Sequence, residues 1–234
     1  CIILAGPTCG RTLAEYGADV IKIEWWRRMD AWRGMISIED DVEGDQSYNK
    51  KHGWMRLNRN KRSLTLNLKN PRGKQIFLDL ARKADVVVDN FSAGVMDRLG
   101  LGYGQLSIVN PGIIMISMPG FGTSGPDSTY VSNGPTFEGY SGLASITGYS
   151  GEEPRNSVGI WPDVVAGVHG AAAVGMALVN RLRTKRGDLI ELVQSETLIN
   201  MIGDAVLDYS ANGEIRVPAG NSDPIVAPHG VYRC

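Results

Sequence analysis

NPRGKQIFLDLARKADVVVDNFSAGVMDRLGLGYGQLSIVNPGIIMISM, residues 70–118, carries two alternating periods. Asn70-Pro71 supplies a cap and a first-turn proline, which predicts a helix over Arg72 to Lys83. Ala84 to Val88 is short, apolar and β-branched and reads as a buried strand, leaving Asp89-Asn90-Phe91 at its carboxyl end. A second helix near Tyr103 to Val109 and a second strand at Ile113 to Met118 repeat the alternation. Strands joined by helices predict an α/β fold, a doubly wound, Rossmann-like parallel sheet covered on both faces. Ligands of such sheets bind at the carboxyl ends of the strands, which directs attention to Asn90 and Phe91.

The flanking segments extend the pattern. Cys1 to Leu4 reads as the second half of a buried strand, Ala5-Gly6-Pro7 as a turn, Thr8 to Tyr16 as a helix ended by Gly17, and Val20 to Glu24 as the next strand. Trp25 to Lys61 is charged and aromatic without sustained period, an expected excursion over the surface, and Ser63 to Leu68 reads as a short strand. Pro119 to Gly159 is rich in Gly, Ser, Thr and Pro and shows no long periodic segment. Asp163 to Arg183 predicts a long helix of small apolar residues, Leu189 to Val193 a strand, Ser195 to Tyr209 a helix and Pro218 to Pro228 a loop. A first residue other than Met, and ends that fall inside elements, lead us to expect an internal piece of a longer protein.

Composition narrows the classes of function. The 234 residues include 24 Lys+Arg against 25 Asp+Glu, a net charge of −1, and 43% are hydrophobic. So balanced a charge gives no field for drawing the chain onto nucleic acid or an anionic membrane, and neither partner is expected. Val164 to Val179 is interrupted by Gly167, His169, Gly170 and Gly175, so it reads as a core helix. Cys1, Cys9 and Cys234 lack metal-ligand spacing and are an odd number, which fits a reducing cytoplasm and no disulfide framework.

The chemistry-bearing residues each admit two readings. Ala5-Gly6-Pro7-Thr8-Cys9-Gly10 has glycines only at its second and sixth places, so the dinucleotide fingerprint is missing. Lys61, Arg62, Lys69 and Arg98, with Asn90-Phe91, read either as a groove for a phosphorylated adenine-bearing ligand or as solvated surface. Asp163 reads as a helix cap or as an ionised nucleophile held by the helix dipole. Glu138, among aromatic and glycine residues, reads as a buried carboxylate or a solvated loop acid. His52, His169 and His229 show neither metal spacing nor a triad, and each is expected to be packed or at the surface. No nucleophile elbow and no phosphate loop of the Walker type occur.

Taken in order, Leu4-Ala5-Gly6-Pro7, Leu13 to Glu24, Asn60 to Lys69, Ala84 to Phe91, Met96 to Gly100, Ser141 to Gly148 and the Asp163 helix with Arg186-Gly187 resemble the family III coenzyme A transferases. That group includes formyl-CoA transferase and carnitine CoA-transferase. The resemblance implies a CoA-transferase without a metal, acting on an acyl-CoA donor and a small carboxylic acid acceptor. It implies that Asp163 is the catalytic carboxylate, attacking the thioester to form a mixed anhydride that CoA opens to an aspartyl-CoA thioester. Leu66, Lys69, Asn90, Phe91 and Arg98 match positions that hold CoA. A glutamate of formyl-CoA transferase falls at Gly134, so Glu138 takes its place only from four residues on. Trp25 stands where that enzyme has an arginine, and Leu4 where it has a glutamine. The resemblance also implies an interlocked homodimer, a large Rossmann-like domain over residues 1–210, and a linker with the start of a smaller domain over 211–234. The rivals are an acyl-CoA racemase, whose histidine falls at Asn133, a non-catalytic CoA-binding partner subunit, and a dinucleotide-dependent oxidoreductase.

Overall fold

The computed structural model describes residues 1–34, 47–157, 159–223 and 225–234; parts of the expected 25–61 excursion, the 119–159 loop and the 218–228 loop lie outside them. Chain order begins with α1 (Ala5–Glu15), β1 (Val20–Glu24), short 3-10 turns at Ala31–Arg33 and Ser47–Asn49, α2 (His52–Asn58) and β2 (Lys61–Thr65). It continues with α3 (Pro71–Ala81), β3 (Val86–Asp89), α4 (Val95–Arg98), α5 (Tyr103–Val109) and β4 (Ile114–Ser117). The last third holds α6 (Gly134–Ser141), α7 (Leu143–Ile146), α8 (Trp161–Thr184), β5 (Asp188–Glu191), α9 (Gln194–Met201) and α10 (Gly203–Asn212).

The described strands pair in parallel, as β1-β2 and as β3-β4-β5. Cys1 lies between the two ladders: its carbonyl accepts from Lys22 Nζ of β1 at 2.8 Å, and its Sγ donates to the Val88 carbonyl of β3 at 2.9 Å. The sheet is covered on both faces, as β4 and the residues around it show. Ile116 and Met118 pack with Ala5, Cys9, Ala166, Ala171 and Val174 of α1 and α8, while Ile113 and Met115 pack with Phe77, Ala81 and Leu106 of α3 and α5. A strand whose alternate residues both meet helices carries an unbroken apolar run, as this one does.

The fold differs from the sequence reading in several places: α2 lies within the 25–61 excursion, β2 starts before the expected Ser63, and the helix expected over Ser195 to Tyr209 is two, α9 and α10. Residues 2–4 form no strand, because Ile3 adopts φ +63°, a left-handed conformation that costs a β-branched residue energy and breaks an extended run. Helix α1 begins at Ala5, so Gly6-Pro7 lies in its first turn, where the missing proline N–H would have had no helical partner anyway. The segment after Met118 contains α6, whose Gly134-Pro135 start again puts proline in a first turn.

Helix α8 is long and apolar enough by length and composition to cross a membrane. Here its small-residue face packs on α1: a methyl at Gly167 would meet Thr8 Cβ at 2.5 Å and the Ala5 carbonyl at 2.7 Å. Gly175 has no such neighbour among the described residues, and Met176, Val179 and Leu182 are exposed. Among the described residues, nothing covers this side of the helix.

Candidate active site

Asp163 is the third residue of α8, after Trp161 and Pro162, so it belongs to the first turn and is not the cap; Ile160 holds the capping position without a side-chain bond. Its carboxylate abuts the start of α6, where a methyl at Gly134 would lie 2.8 Å from Oδ2. Burial pushes the Asp163 carboxyl up from 3.8 to about 6, against a downward pull from the N–H groups of Asp163 and Gly134. No charged side chain enters that balance among the described residues. At neutral pH the group is mostly ionised, yet more basic than an ordinary aspartate, and two helix N-termini point their dipoles at it. Beside it, Val164 packs on a cluster of Leu4, Trp32, Trp54 and Leu57.

Glu138 lies one helical turn after Gly134 and is fully buried. Oε2 accepts from the Ser157 N–H at 2.7 Å and Oε1 from the Ser157 hydroxyl at 2.5 Å, while the Trp161 indole N–H donates to that same hydroxyl. No bond from Glu138 to Asp163 occurs among the described residues.

At the carboxyl end of β3, Asp89 Oδ1 accepts from the Phe91 N–H at 3.1 Å and fixes the turn that presents Asn90 and Phe91. The Asn90 amide is engaged in both directions, accepting from the Ile2 N–H at 3.0 Å and donating to the Ile2 carbonyl at 2.9 Å. Phe91 and Leu66 pack against one apolar cluster with Met96 of α4. Arg98 closes α4 with its head exposed, and Lys69 is exposed beyond β2. A small hollow of about 70 Å³ is lined by Asn90, Phe91, Gly120, Phe137 and Gln194. Phe137 neighbours Glu138 in α6, so this hollow joins the Asn90-Phe91 turn to the helix whose first residue, Gly134, abuts Asp163.

Lys61 and Arg62 do not join that group. They line a larger hollow of about 620 Å³ over the β1-β2 face, with Lys22, Glu24, Arg33 and Trp54. There Arg33 grips Glu24 bidentately at 2.9 and 2.8 Å, Lys22 meets Asp30 at 2.9 Å, and the Arg33 guanidinium stacks 3.4 Å from the Trp54 ring centre. Of the groove read from sequence, Lys61 and Arg62 line one hollow and Asn90 and Phe91 the other, while Lys69 and Arg98 are exposed and line neither. His169 is packed, with Nδ1 2.9 Å from the Val165 carbonyl. The sequence reading missed Gly134 as the neighbour of Asp163 and Ser157 as the partner of Glu138. The Gly134-Pro135 pair was a legible helix start, but nothing in the sequence ties it to Asp163.

The model of CoA-transferase family III matches residues 1–234. The chain is 34% identical to a succinyl-CoA--D-citramalate CoA-transferase of Chloroflexus aurantiacus, over 98% of this chain and 55% of that protein. It is 35% identical to a formyl-CoA:oxalate CoA-transferase of a Bradyrhizobium species, over 95% of this chain and 53% of that one. A CaiB/BaiF family protein from Brucella suis, known from its crystal structure, superposes with a TM-score of 0.88 at 32% identity, over 98% of this chain and 60% of that one. The chain spans about half the length of the curated relatives it matches. From a match over its whole length and this agreement of fold, the chain belongs to CoA-transferase family III.

Proposed function

We propose that the protein moves CoA from an acyl-CoA thioester to a carboxylic acid, with Asp163 as nucleophile. The observation that carries the reading is the Asp163 carboxylate itself: partly withdrawn from water, free of any described counter-ion, and raised to about 6. A carboxylate paired with arginine would be a poorer nucleophile, because the pair stabilises the charge that must be donated.

In the first step an Asp163 oxygen attacks the thioester carbonyl, the C–S bond breaks, and the sulfur leaves as CoA thiolate. The product is an aspartyl-acyl mixed anhydride. The thiolate then attacks the Asp163 carbonyl carbon, releasing the donor acid as its carboxylate and leaving an aspartyl-CoA thioester. The acceptor carboxylate reverses both steps and restores the free aspartate. The oxyanion that forms on the Asp163 carbonyl when it is attacked would lie beside the Gly134 N–H, which is fixed at a helix start. Asn90, Phe91 and Leu66 would hold the thioester-bearing arm at the carboxyl end of β3, with Lys69 and Arg98 meeting the phosphates as exposed cations. Succinyl-CoA is a first donor to try, after the name of the Chloroflexus relative. A second copy of the chain, interlocked with the first, would cover the exposed side of α8.

The test is intact-protein and peptide mass spectrometry of the full-length protein after mixing with succinyl-CoA and acetyl-CoA separately. A covalent adduct on Asp163 is expected with at least one donor. Acyl transfer proceeding with no adduct on Asp163, or with an adduct on another residue, would sink the assignment.

A further inference from the structure

Helices α6 and α8 meet at two points set four residues apart on α6, a spacing that puts both on one face. At the first, Gly134 abuts the Asp163 carboxylate. At the second, Glu138 takes both donors of Ser157, whose hydroxyl oxygen receives the indole N–H of Trp161, the first residue of α8. The hydroxyl thus donates once and accepts once, within the capacity of a serine. We propose that Glu138 is a positioning residue that acts through Ser157 and Trp161 to hold the start of α8 against α6, so that the Gly134 N–H stays on Asp163.

The proposal rests on Asp163 as the nucleophile and assigns Glu138 a role other than a second reacting carboxylate. Two facts argue for it. Both Glu138 oxygens are already occupied by Ser157, and the side chain is fully buried, so it offers no surface to a substrate. The chain of bonds instead ends two residues from Asp163, on the same turn of helix. A buried acceptor with two short donors is a strong anchor, and leaving either partner unpaired there is costly. Loosening the clamp lets the Gly134 N–H drift from the carboxylate, which lowers the rate of the chemical steps and makes Asp163 more basic. It leaves the turn at Asn90-Phe91 untouched. Only burial and the backbone N–H groups of Asp163 and Gly134 act on the Asp163 carboxyl among the described residues, so a moving acid limb reports those groups.

The experiment measures kcat, KM for the acyl-CoA donor and the acid limb of the pH-rate profile in the full-length enzyme. The variants are Glu138→Gln, Ser157→Ala, Trp161→Phe and the Glu138→Gln/Trp161→Phe pair, with Asp163→Asn as control. Glu138→Gln is expected to lower kcat about 10-fold with KM within about 2-fold, and to move the acid limb upward. Trp161→Phe, which keeps one aromatic ring and loses the pyrrole ring with its N–H, should do the same at about 3-fold, and the pair should lose less than the product of the single losses. A change confined to KM, an unmoved acid limb, losses that simply multiply, or a Glu138→Gln loss as deep as that of Asp163→Asn would each overturn the proposal. Should Glu138→Gln fail to fold, Trp161→Phe decides on the same two criteria, a kcat loss and a raised acid limb. Full turnover in Asp163→Asn would instead remove the nucleophile reading on which the proposal rests.

Discussion

Glu24 and Asp163 are both carboxylates withdrawn from water, yet their acidities move in opposite directions. Burial pushes each up. At Glu24 the bidentate Arg33, the Asp30 N–H and Lys22 outweigh burial, and the carboxyl ends below its ordinary 4.5. At Asp163 only backbone N–H groups oppose it, and the carboxyl ends at about 6. The first arrangement holds the β1-β2 face together, and the second leaves a carboxylate whose charge is available. On the role proposed for Asp163, the identity of the donors around a carboxylate withdrawn from water, more than its depth, would separate a structural acid from a reactive one.

Replacing the reactive member should give the largest effect. Asp163→Asn in the full-length enzyme is expected to lower kcat by at least about 1000-fold, roughly 4 kcal/mol of barrier, while CoA affinity stays within a few-fold. The same change should raise the melting temperature at pH 7.5. Asp163 has a native value above its unfolded one, so the wild type pays for its ionisation above about pH 6 and is relieved as pH falls toward 3.8. The thermal gain of the Asn variant should therefore shrink across that window, and a gain independent of pH would break the comparison.

Replacing the cation of the structural member should come next. Arg33→Met strips Glu24 of its bidentate partner and is expected to cost about 3 kcal/mol in denaturant unfolding near neutral pH. With its counter-ion gone, burial raises the native Glu24 value, so the loss should ease as pH falls through the carboxylate range. A loss that stays constant with pH would mean that Arg33 contributes by stacking on Trp54 and not by charge.

The smallest effects should lie at exposed groups. Lys69→Ala and Arg98→Ala are expected to weaken CoA binding about 2- to 5-fold each at low salt and less at high salt, since exposed charges are screened. Phe91→Ala should weaken it with little salt dependence. Calorimetry at two ionic strengths separates the three, and unchanged affinity in all of them would move the CoA groove elsewhere.

Period and punctuation made the middle of the fold legible. Asn70-Pro71 marked α3 and the run Ile113 to Met118 marked β4 within a residue or so, because both are local consequences of propensity and patterning. Ile2 to Leu4 misled for a physical reason: the apolar run looks like a strand, but tertiary bonds from Asn90 and Asp30 hold Ile2 and Ile3 in another path. At the site, Asp163 was identifiable as a residue, and its surroundings were not. Gly134 has no side chain to announce a donor, and the Glu138–Ser157 contact spans 19 positions that carry no periodicity. Backbone donors and long-range polar contacts leave little trace in composition, and for the same cause the sequence did not separate Lys61 and Arg62 from the Asn90-Phe91 turn.

The pairing of β4 with β5 also sets a timetable. Ile114 has its lateral partner at Asp188, with α6, α7 and α8 in between. A chain emerging from the ribosome thus makes β3 and β4 early, then leaves one edge of β4 open for several seconds while the intervening helices are synthesised. Loop closure over that distance is slow, and an apolar strand with a bare edge is the usual starting point for wrong pairing between chains. Glu191 and Asp188 on the late strand bring charge to that edge once it arrives. Until then, protection of β4 falls to α1, α3 and α5, which precede the gap and are already available to cover its faces.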